Sequence, residues 1–205
     1  MTMLRRSFFS GIPAFALLQA PAAPIRAWQA ARHAQDDWFD ENTAKHRVIF
    51  DTWNPERFPD ALQFAGNIVE TSKTDYDLAP SELAIVICVR HRTTPFAFND
   101  AMWAKYGKSF SGQMAWTDPN SHEAPTVNPY TRRLTLLAEQ GVRLAICNRT
   151  TGAYSGNAAR QAGAANDVVM KEMMANTVIP GHFVPAGVIA VTRAQERGYA
   201  NISIG

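Results

Sequence analysis

A cysteine stands between an apolar run and a run of helix-capping residues in the stretch LAICNRTTGAYSG, residues 144–156. Cys147 ends the apolar run, and we expect the following helix to begin near Thr150 or Thr151. A thiol there would face the unpaired N–H groups and the positive dipole end of that helix, which favour the nucleophilic thiolate. Free cysteine is also among the most frequently buried residue types. The position therefore leaves two interpretations open, a reactive thiol and a small buried hydrophobe.

Polar residues follow three apolar runs of the chain in the same way. The clusters are Asp51 and Thr52, then Arg90, His91 and Arg92, then Cys147, Asn148 and Arg149. Ligands of parallel α/β sheets bind outside the carboxyl ends of the strands, where such clusters would meet. Arg90, His91 and Arg92 would form a cationic, hydrogen-bonding rim for an anion, although a solvated loop explains the same run. We therefore predict Cys147 as the catalytic residue and Arg90, His91, Asn148 and Arg149 as substrate-binding residues.

The second cysteine, Cys88, lies inside an apolar run, which favours a role in the core. A disulfide between Cys88 and Cys147 is conceivable in an oxidising compartment. Two residues within sheet strands rarely have the geometry that a disulfide needs, so we expect free thiols.

Motifs for other chemistries do not match. The histidines lack the close spacing of metal ligands, and there is neither a Walker loop nor a G-x-G-x-x-G motif. The segments GQMAW and GAYSG do not fit the G-x-S-x-G nucleophile elbow of α/β-hydrolases. We predict no metal site and no cofactor.

Hydrophobic patterning predicts alternating strands and helices. The six consecutive apolar residues 83–88 are typical of a strand covered on both faces of a parallel sheet. Predicted strands cover residues 46–53, 82–90, 142–147, 177–179 and 199–204. Predicted helices cover residues 58–73, 94–107, 131–141, 153–163, 167–175 and 185–197. This alternation indicates an α/β domain with a mostly parallel sheet.

Residues 108–130 are rich in Ser, Pro, Asn and Gly and show no stable periodicity. A connection of this length inside a compact domain is usually a lid, a binding loop or a subunit contact. The aromatic residues just before it, Phe96, Phe98, Trp103 and Tyr106, favour a place in the core or at a subunit interface over a cofactor site.

The N-terminus has the order of an export signal that is removed. Arg5 and Arg6 precede Phe8 and Phe9, an apolar run covers residues 12–20, and residues 20–22 offer an A-x-A cleavage site. The paired arginines resemble a twin-arginine signal, which predicts a periplasmic protein. An ordinary secretory signal or a frayed helix would also fit. We assign residues 1–34 to the signal and leader, 35–45 to a polar leader and 46–205 to a single domain.

Composition and charge exclude some partners. The 205 residues are 46% hydrophobic and 19% charged, which is ordinary for a globular protein. Cleavage after residue 22 removes two arginines from 20 basic residues and leaves them equal in number to the 18 acidic residues. A nucleic-acid partner is not expected, because such binders normally carry a basic surplus. No apolar run in the mature chain is long enough for a membrane span.

Three segments resemble the DsrE/DsrF-like family of sulfur-relay proteins, namely GVRLAICNRT (141–150), VPAGVIAVTRAQERGYANI (184–202) and RHRTTPFAFNDAMWAKYG (90–107). The last is similar to a segment of an exported branch, and the similarity runs from about residue 46 to 204. It implies a three-layer α/β/α domain with a five-stranded, mostly parallel sheet, assembled as a trimer or hexamer. It also implies that Cys147 carries sulfane sulfur as a persulfide.

Two functions follow as hypotheses. The first is a periplasmic sulfur carrier or sulfurtransferase, in which Arg90, His91 and Arg149 stabilise the Cys147 thiolate. Its partner would be a small anionic sulfur species, such as thiosulfate or polysulfide, or a sulfur-carrier protein. The second is a non-catalytic oligomeric protein that binds a ligand or partner through residues 108–130 and the aromatic segment.

Overall fold

The computed structural model describes residues 29–41 and 44–205, and the predicted export signal lies outside them except for its last residues. The described residues form five strands and six α-helices. The strands are β1 (His46–Thr52), β2 (Leu83–Val89), β3 (Arg143–Cys147), β4 (Gly181–Val184) and β5 (Ala200–Ile204). The helices are α1 (Phe58–Tyr76), α2 (Asp100–Met114), α3 (Thr131–Glu139), α4 (Asn148–Ala162), α5 (Asn166–Ala175) and α6 (Gly187–Glu196).

The five strands pair in the order β4-β3-β2-β1-β5, and all four pairings are parallel. The carboxyl ends of β1, β2 and β3 therefore lie side by side at one edge of the sheet. This edge is the place where ligands of open α/β sheets bind.

Helices cover both faces of the sheet. Residues of α1 to α5 pack with Phe50, Ile87 and Ile146 on one face. The other face is covered by fewer elements. On it, α6 and the 3₁₀ segment Ala34–Asp40 pack against the alternate strand residues, such as Cys88 and Ala145. The predicted fold class, a three-layer α/β/α domain with a five-stranded sheet, is confirmed, and the sheet is entirely parallel.

All but the first residue of the 3₁₀ segment fall in the predicted polar leader, residues 35–45, yet the aromatic residues of the segment are buried. Trp38 is 7% exposed and Phe39 is fully buried against Tyr199. Arg197, whose side chain is almost completely buried, forms an ion pair with Asp40 at 3.2 Å. This part of the leader therefore packs as part of the domain.

Helix α2 is longer than predicted. The sequence predicted a helix that stops at Gly107, but α2 continues to Met114, so residues 108–114 are helical rather than irregular. Gly107 has a different role, because a Cβ atom at this position would collide with the carbonyl of Pro125. The glycine allows the following loop to pack directly on the helix backbone. The helix ends instead at Ala115, which has a left-handed φ of 50°.

Two other boundaries differ from the prediction. The predicted strand at residues 177–179 is wrong; Thr177 makes a single antiparallel bridge with Phe98, and the fourth strand is β4. Helix α4 begins at Asn148, directly after β3, which is earlier than the expected start near Thr150 or Thr151 and than the predicted helical stretch at 153–163. This earlier start brings Cys147 to the position immediately before the helix.

The aromatic segment is part of the core. Phe96, Phe98, Trp103 and Tyr106 are all buried, and the indole N–H of Trp103 donates to the Pro95 carbonyl at 3.0 Å. These rings are therefore unavailable as a binding surface in the single chain. Among the described residues, no helix has the length and apolar character needed to cross a bilayer.

Candidate functional site

Four of the five predicted site residues line one depression at the carboxyl edge of the sheet. This depression, the thiol depression, has a volume of about 250 Å³ and is lined by Arg90, His91, Cys147, Arg149, Thr150, Ala186, Gly187 and Val188. The residues come from the ends of β2 and β3 and from the first turns of α4 and α6. The strand order thus brings together residues that are up to 98 positions apart in the sequence.

Cys147 is the last residue of β3 and the N-cap of α4. The residue is only 5% exposed, yet it contributes to the wall of the thiol depression. The Thr150 hydroxyl donates to its Sγ at 3.2 Å, and the Thr151 hydroxyl donates to its carbonyl oxygen at 3.0 Å. Two side chains of the first helical turn therefore fix the backbone and the sulfur of Cys147.

Thr150 also links the thiol to His91. The backbone N–H of His91 donates to the Thr150 hydroxyl at 3.3 Å, and that hydroxyl in turn donates to Cys147 Sγ. His91 has a left-handed φ of 53°, which is uncommon for a residue other than glycine. This backbone conformation turns the N–H of His91 toward α4, and its exposed ring lies at the depression.

Arg90 is held rigidly beside the thiol. Its Nε and Nη2 donate to the two carboxylate oxygens of Asp51 at 2.6 and 2.8 Å, and its guanidinium carbon lies 5.0 Å from the ring centre of Trp53. The hydrogen bonds that Arg90 donates to Asp51 raise the pKa of Arg90 above its usual value, so the guanidinium stays charged. A bidentate pair of this kind fixes orientation as well as charge.

Gly187 makes the close packing of Arg90 possible. A Cβ atom at Gly187 would lie 2.6 Å from Cβ of Arg90 and 2.9 Å from its Cδ, so only glycine fits at this point of α6. The Gly187 carbonyl also accepts a hydrogen bond from Cys88 Sγ, at 3.6 Å. One glycine therefore contacts the residues of both the site and the layer beneath it.

The remaining predicted residues differ from each other in position. Arg149 is exposed and lines the thiol depression, and it forms no ion pair with the described residues. Asn148 does not line the depression; its Oδ1 is buried without a hydrogen-bond partner among the described residues. Asn148 is therefore close to Cys147 in the chain but outside the wall of the site.

Cys88 lies below the site and is completely buried, as the sequence predicted. Burial raises the pKa of its thiol. Both cysteines are free thiols.

Sequence reasoning missed three residues that shape the site, Asp51 as the partner of Arg90, Thr150 as the donor to the sulfur, and Gly187. Asp51 had a visible signal, since it follows β1 in the same way that Arg90 follows β2. Thr150 stands three residues after Cys147, the spacing at which side chains meet across one turn of a helix. Gly187 had no comparable local signal, because its role depends on a contact with a distant strand.

A larger groove lies elsewhere. It has a volume of about 560 Å³, runs between α1 and α3, and is lined by side chains such as Leu62, Leu137 and Arg133. None of the predicted site residues reaches it. The chemistry is concentrated in the thiol depression, whose lining includes a sulfur atom, a guanidinium fixed by Asp51 and an arginine that forms no ion pair with the described residues.

Fold and site together define an α/β/α protein that has a thiol at the carboxyl edge of a parallel sheet. Comparison of the chain with protein-family models, with curated proteins and with solved structures finds no match. The chemistry is therefore interpreted from the residues of the site.

Proposed function

We propose that the protein is a sulfur carrier or sulfurtransferase in which Cys147 takes up sulfane sulfur as a persulfide. One observation carries the proposal: Cys147 Sγ lies at the N-terminus of α4, in a depression also lined by Arg90 and Arg149, and accepts a hydrogen bond from Thr150. A positive environment and hydrogen-bond donors stabilise a thiolate, which is the nucleophilic form of cysteine.

The step can be written with thiosulfate as the donor. The Cys147 thiolate attacks the outer sulfur, a new S–S bond forms at Sγ, and the S–S bond of thiosulfate breaks. Sulfite leaves with the electron pair, and the product is the Cys147 persulfide anion. Arg90, already fixed by Asp51, and the unpaired Arg149 would hold the dianion against the thiol. The exposed ring of His91 is the third candidate for binding the donor.

The proposal has three further parts that come from the sequence. The chain is a DsrE/DsrF-like protein of an exported branch, a twin-arginine signal directs it to the periplasm, and it forms homo-oligomers. Its partners are then a small anionic sulfur species or a sulfur-carrier protein in that compartment.

A non-catalytic binding protein is the second candidate function. The observation in its favour is the low exposure of Cys147, 5%, since a structural cysteine would be buried in the same way. The aromatic segment first assigned to such binding lies in the core, so the loop at residues 115–130 is the part of the predicted binding region that remains.

Mass spectrometry after incubation with thiosulfate or polysulfide tests the proposal. We expect a gain of about 32 Da, one sulfur atom, in the natural protein and in Cys88→Ala, and no gain in Cys147→Ser. The Cys88 variant is the matched control, because it removes the other thiol and leaves Cys147 in place. Equal loading of the natural protein and Cys147→Ser would overturn the proposal, and so would a complete lack of loading with every donor.

A further inference from the structure

A second depression adjoins the thiol depression. This neighbouring depression has a volume of about 460 Å³ and is lined by His91, Arg92, Gln113, Ala115, Arg149, Thr150, Ala153 and Tyr154. It shares His91, Arg149 and Thr150 with the thiol depression, so the two adjoin across these side chains. A small inorganic anion fills only part of such a space, whereas small-molecule sites commonly measure roughly 300–1,000 Å³.

The lining of the neighbouring depression is cationic. It contains two arginines and a histidine and no acidic side chain. The charge of Arg92 is already engaged, because its guanidinium donates to the carbonyls of Met114 and Ala115 and contacts Glu56 at 3.2 Å. Arg149 has no such partner among the described residues, so it is the cation available to a ligand. A planar guanidinium of this kind suits a carboxylate, which it can bind through two hydrogen bonds.

The rest of the lining suits an organic molecule. Ala115 and Ala153 are small, and Tyr154, which is buried in the core, also lines the depression. A ligand with a carboxylate and a short organic skeleton would contact Arg149 and these small side chains.

We infer that Cys147 receives its sulfur from a low-molecular-weight organic persulfide whose carboxylate-bearing skeleton lies in the neighbouring depression, against Arg149. This inference rests on the proposed function and names the class of its donor. The Cys147 thiolate attacks the outer sulfur of the donor persulfide. An S–S bond forms at Cys147 Sγ, the S–S bond of the donor breaks, and the donor leaves as a thiolate with the electron pair. The proton of the donor stays on the transferred sulfur.

A binding measurement separates this inference from the transfer reaction. The probe is S-methylglutathione, a peptide thioether that has carboxylates and amide N–H groups but cannot donate sulfur. We expect saturable binding to Cys147→Ser by isothermal titration calorimetry, and about tenfold weaker binding when Arg149→Gln is added, because a charge-assisted hydrogen bond is lost. Arg160→Gln is the matched control, because Arg160 is an exposed arginine about three turns further along α4, and it should leave the affinity unchanged.

A second variant blocks the space itself. Ala153→Trp places a large ring at an exposed position of α4 that lines the neighbouring depression. Glutathione persulfide and thiosulfate are compared as sulfur donors to Cys147, which is unchanged in this variant. We expect the loading rate from glutathione persulfide, divided by the rate from thiosulfate, to fall at least tenfold. A ratio that stays constant would overturn the inference.

The outcomes distinguish the two proposals. Loading of Cys147 from thiosulfate, without binding of S-methylglutathione at millimolar concentration, overturns the inference and leaves the proposed function standing. If S-methylglutathione binds in a way that depends on Arg149 but Cys147 is loaded by no donor, the proposed function as a sulfur carrier is overturned. Binding that neither Arg149→Gln nor Ala153→Trp weakens places the ligand elsewhere and overturns the inference.

Discussion

The two cysteines of the chain lie on neighbouring strands and in very different surroundings. Cys88 is sealed in a layer with Ala84, Val86 and Ala145, and its Sγ donates to the carbonyl of Gly187. Cys147 lies at the wall of an open depression, and its Sγ accepts a hydrogen bond from Thr150. One thiol is thus a donor inside the dry core, and the other is an acceptor at the edge of the sheet.

The register of the sheet explains this difference. Cys88 pairs with Ala145, so Cys147 stands two residues further toward the carboxyl edge and on the same face. Two residues of a strand span roughly 6.6 Å. Within that distance β3 gives way to α4, and the cover that Gly187 at the start of α6 provides over Cys88 gives way to the open thiol depression. The same residue type can therefore be structural or reactive according to a displacement of one pleat.

The largest expected effect is on the accessibility of the two thiols. With iodoacetamide, Cys147 in the Cys88→Ala variant should be alkylated at least about a thousandfold faster than Cys88 in the Cys147→Ala variant. Cys88 becomes accessible only when the domain opens, and opening of a typical core requires roughly 5 kcal/mol or more. Alkylation followed by mass measurement gives both rates. Similar rates in the two variants would show that the two thiols are equally enclosed.

The second effect concerns the ion pair between Asp51 of β1 and Arg90, which directly follows β2. Asp51 and Arg90 have side chains that are 10% and 21% exposed, so Asp51→Ala leaves a guanidinium that is poorly hydrated and unpaired. We expect the free energy of unfolding to fall by about 3 kcal/mol, as for other ion pairs that are largely buried. Urea titration gives the value.

The matched control for Asp51→Ala is Asp167→Ala. Asp167 contacts Lys171 at 3.7 Å, and both side chains are mostly exposed. Exposed pairs contribute little, so the stability should change by no more than about 0.5 kcal/mol. If the two variants lost the same stability, Arg90 would not be anchored as the hydrogen bonds indicate, and the site would have no fixed guanidinium.

Much of this fold could be predicted from local pattern. The apolar run at residues 83–88 predicts a strand buried on both faces, and β2 is the central strand of the sheet. The boundaries that failed depend on tertiary contacts. Gly107 was interpreted as the end of a helix, but it is a point of close contact with Pro125, and the sequence does not distinguish the two uses of glycine.

The candidate site could be predicted only in outline. The rule for carboxyl ends of parallel strands is enough to predict that Arg90, His91 and Cys147 lie close together. Contacts across the fold could not be predicted in this way. Gly187 and Cys88 are 99 residues apart, and the hydrogen bond between them becomes visible only when α6 is placed on the sheet. Asn148 shows the opposite error, since its proximity in sequence did not bring it into the depression.

The smallest expected effect separates two adjacent hydroxyl groups of α4. Thr150→Val removes the donor to Cys147 Sγ, and Thr151→Val removes the buried donor to the Cys147 carbonyl. Thr150→Val should slow persulfide loading from thiosulfate about tenfold with little change in stability, because one hydrogen bond to the reacting atom contributes roughly 1–1.5 kcal/mol.

Thr151→Val should instead lower the free energy of unfolding by about 1 kcal/mol and leave the loading rate within about twofold. Thr150→Ser, which keeps the hydroxyl, should restore most of the rate. If both valine variants lowered only stability, the Thr150 hydroxyl would act as a helix cap, and the surroundings of Cys147 would resemble those of Cys88 more than the geometry indicates.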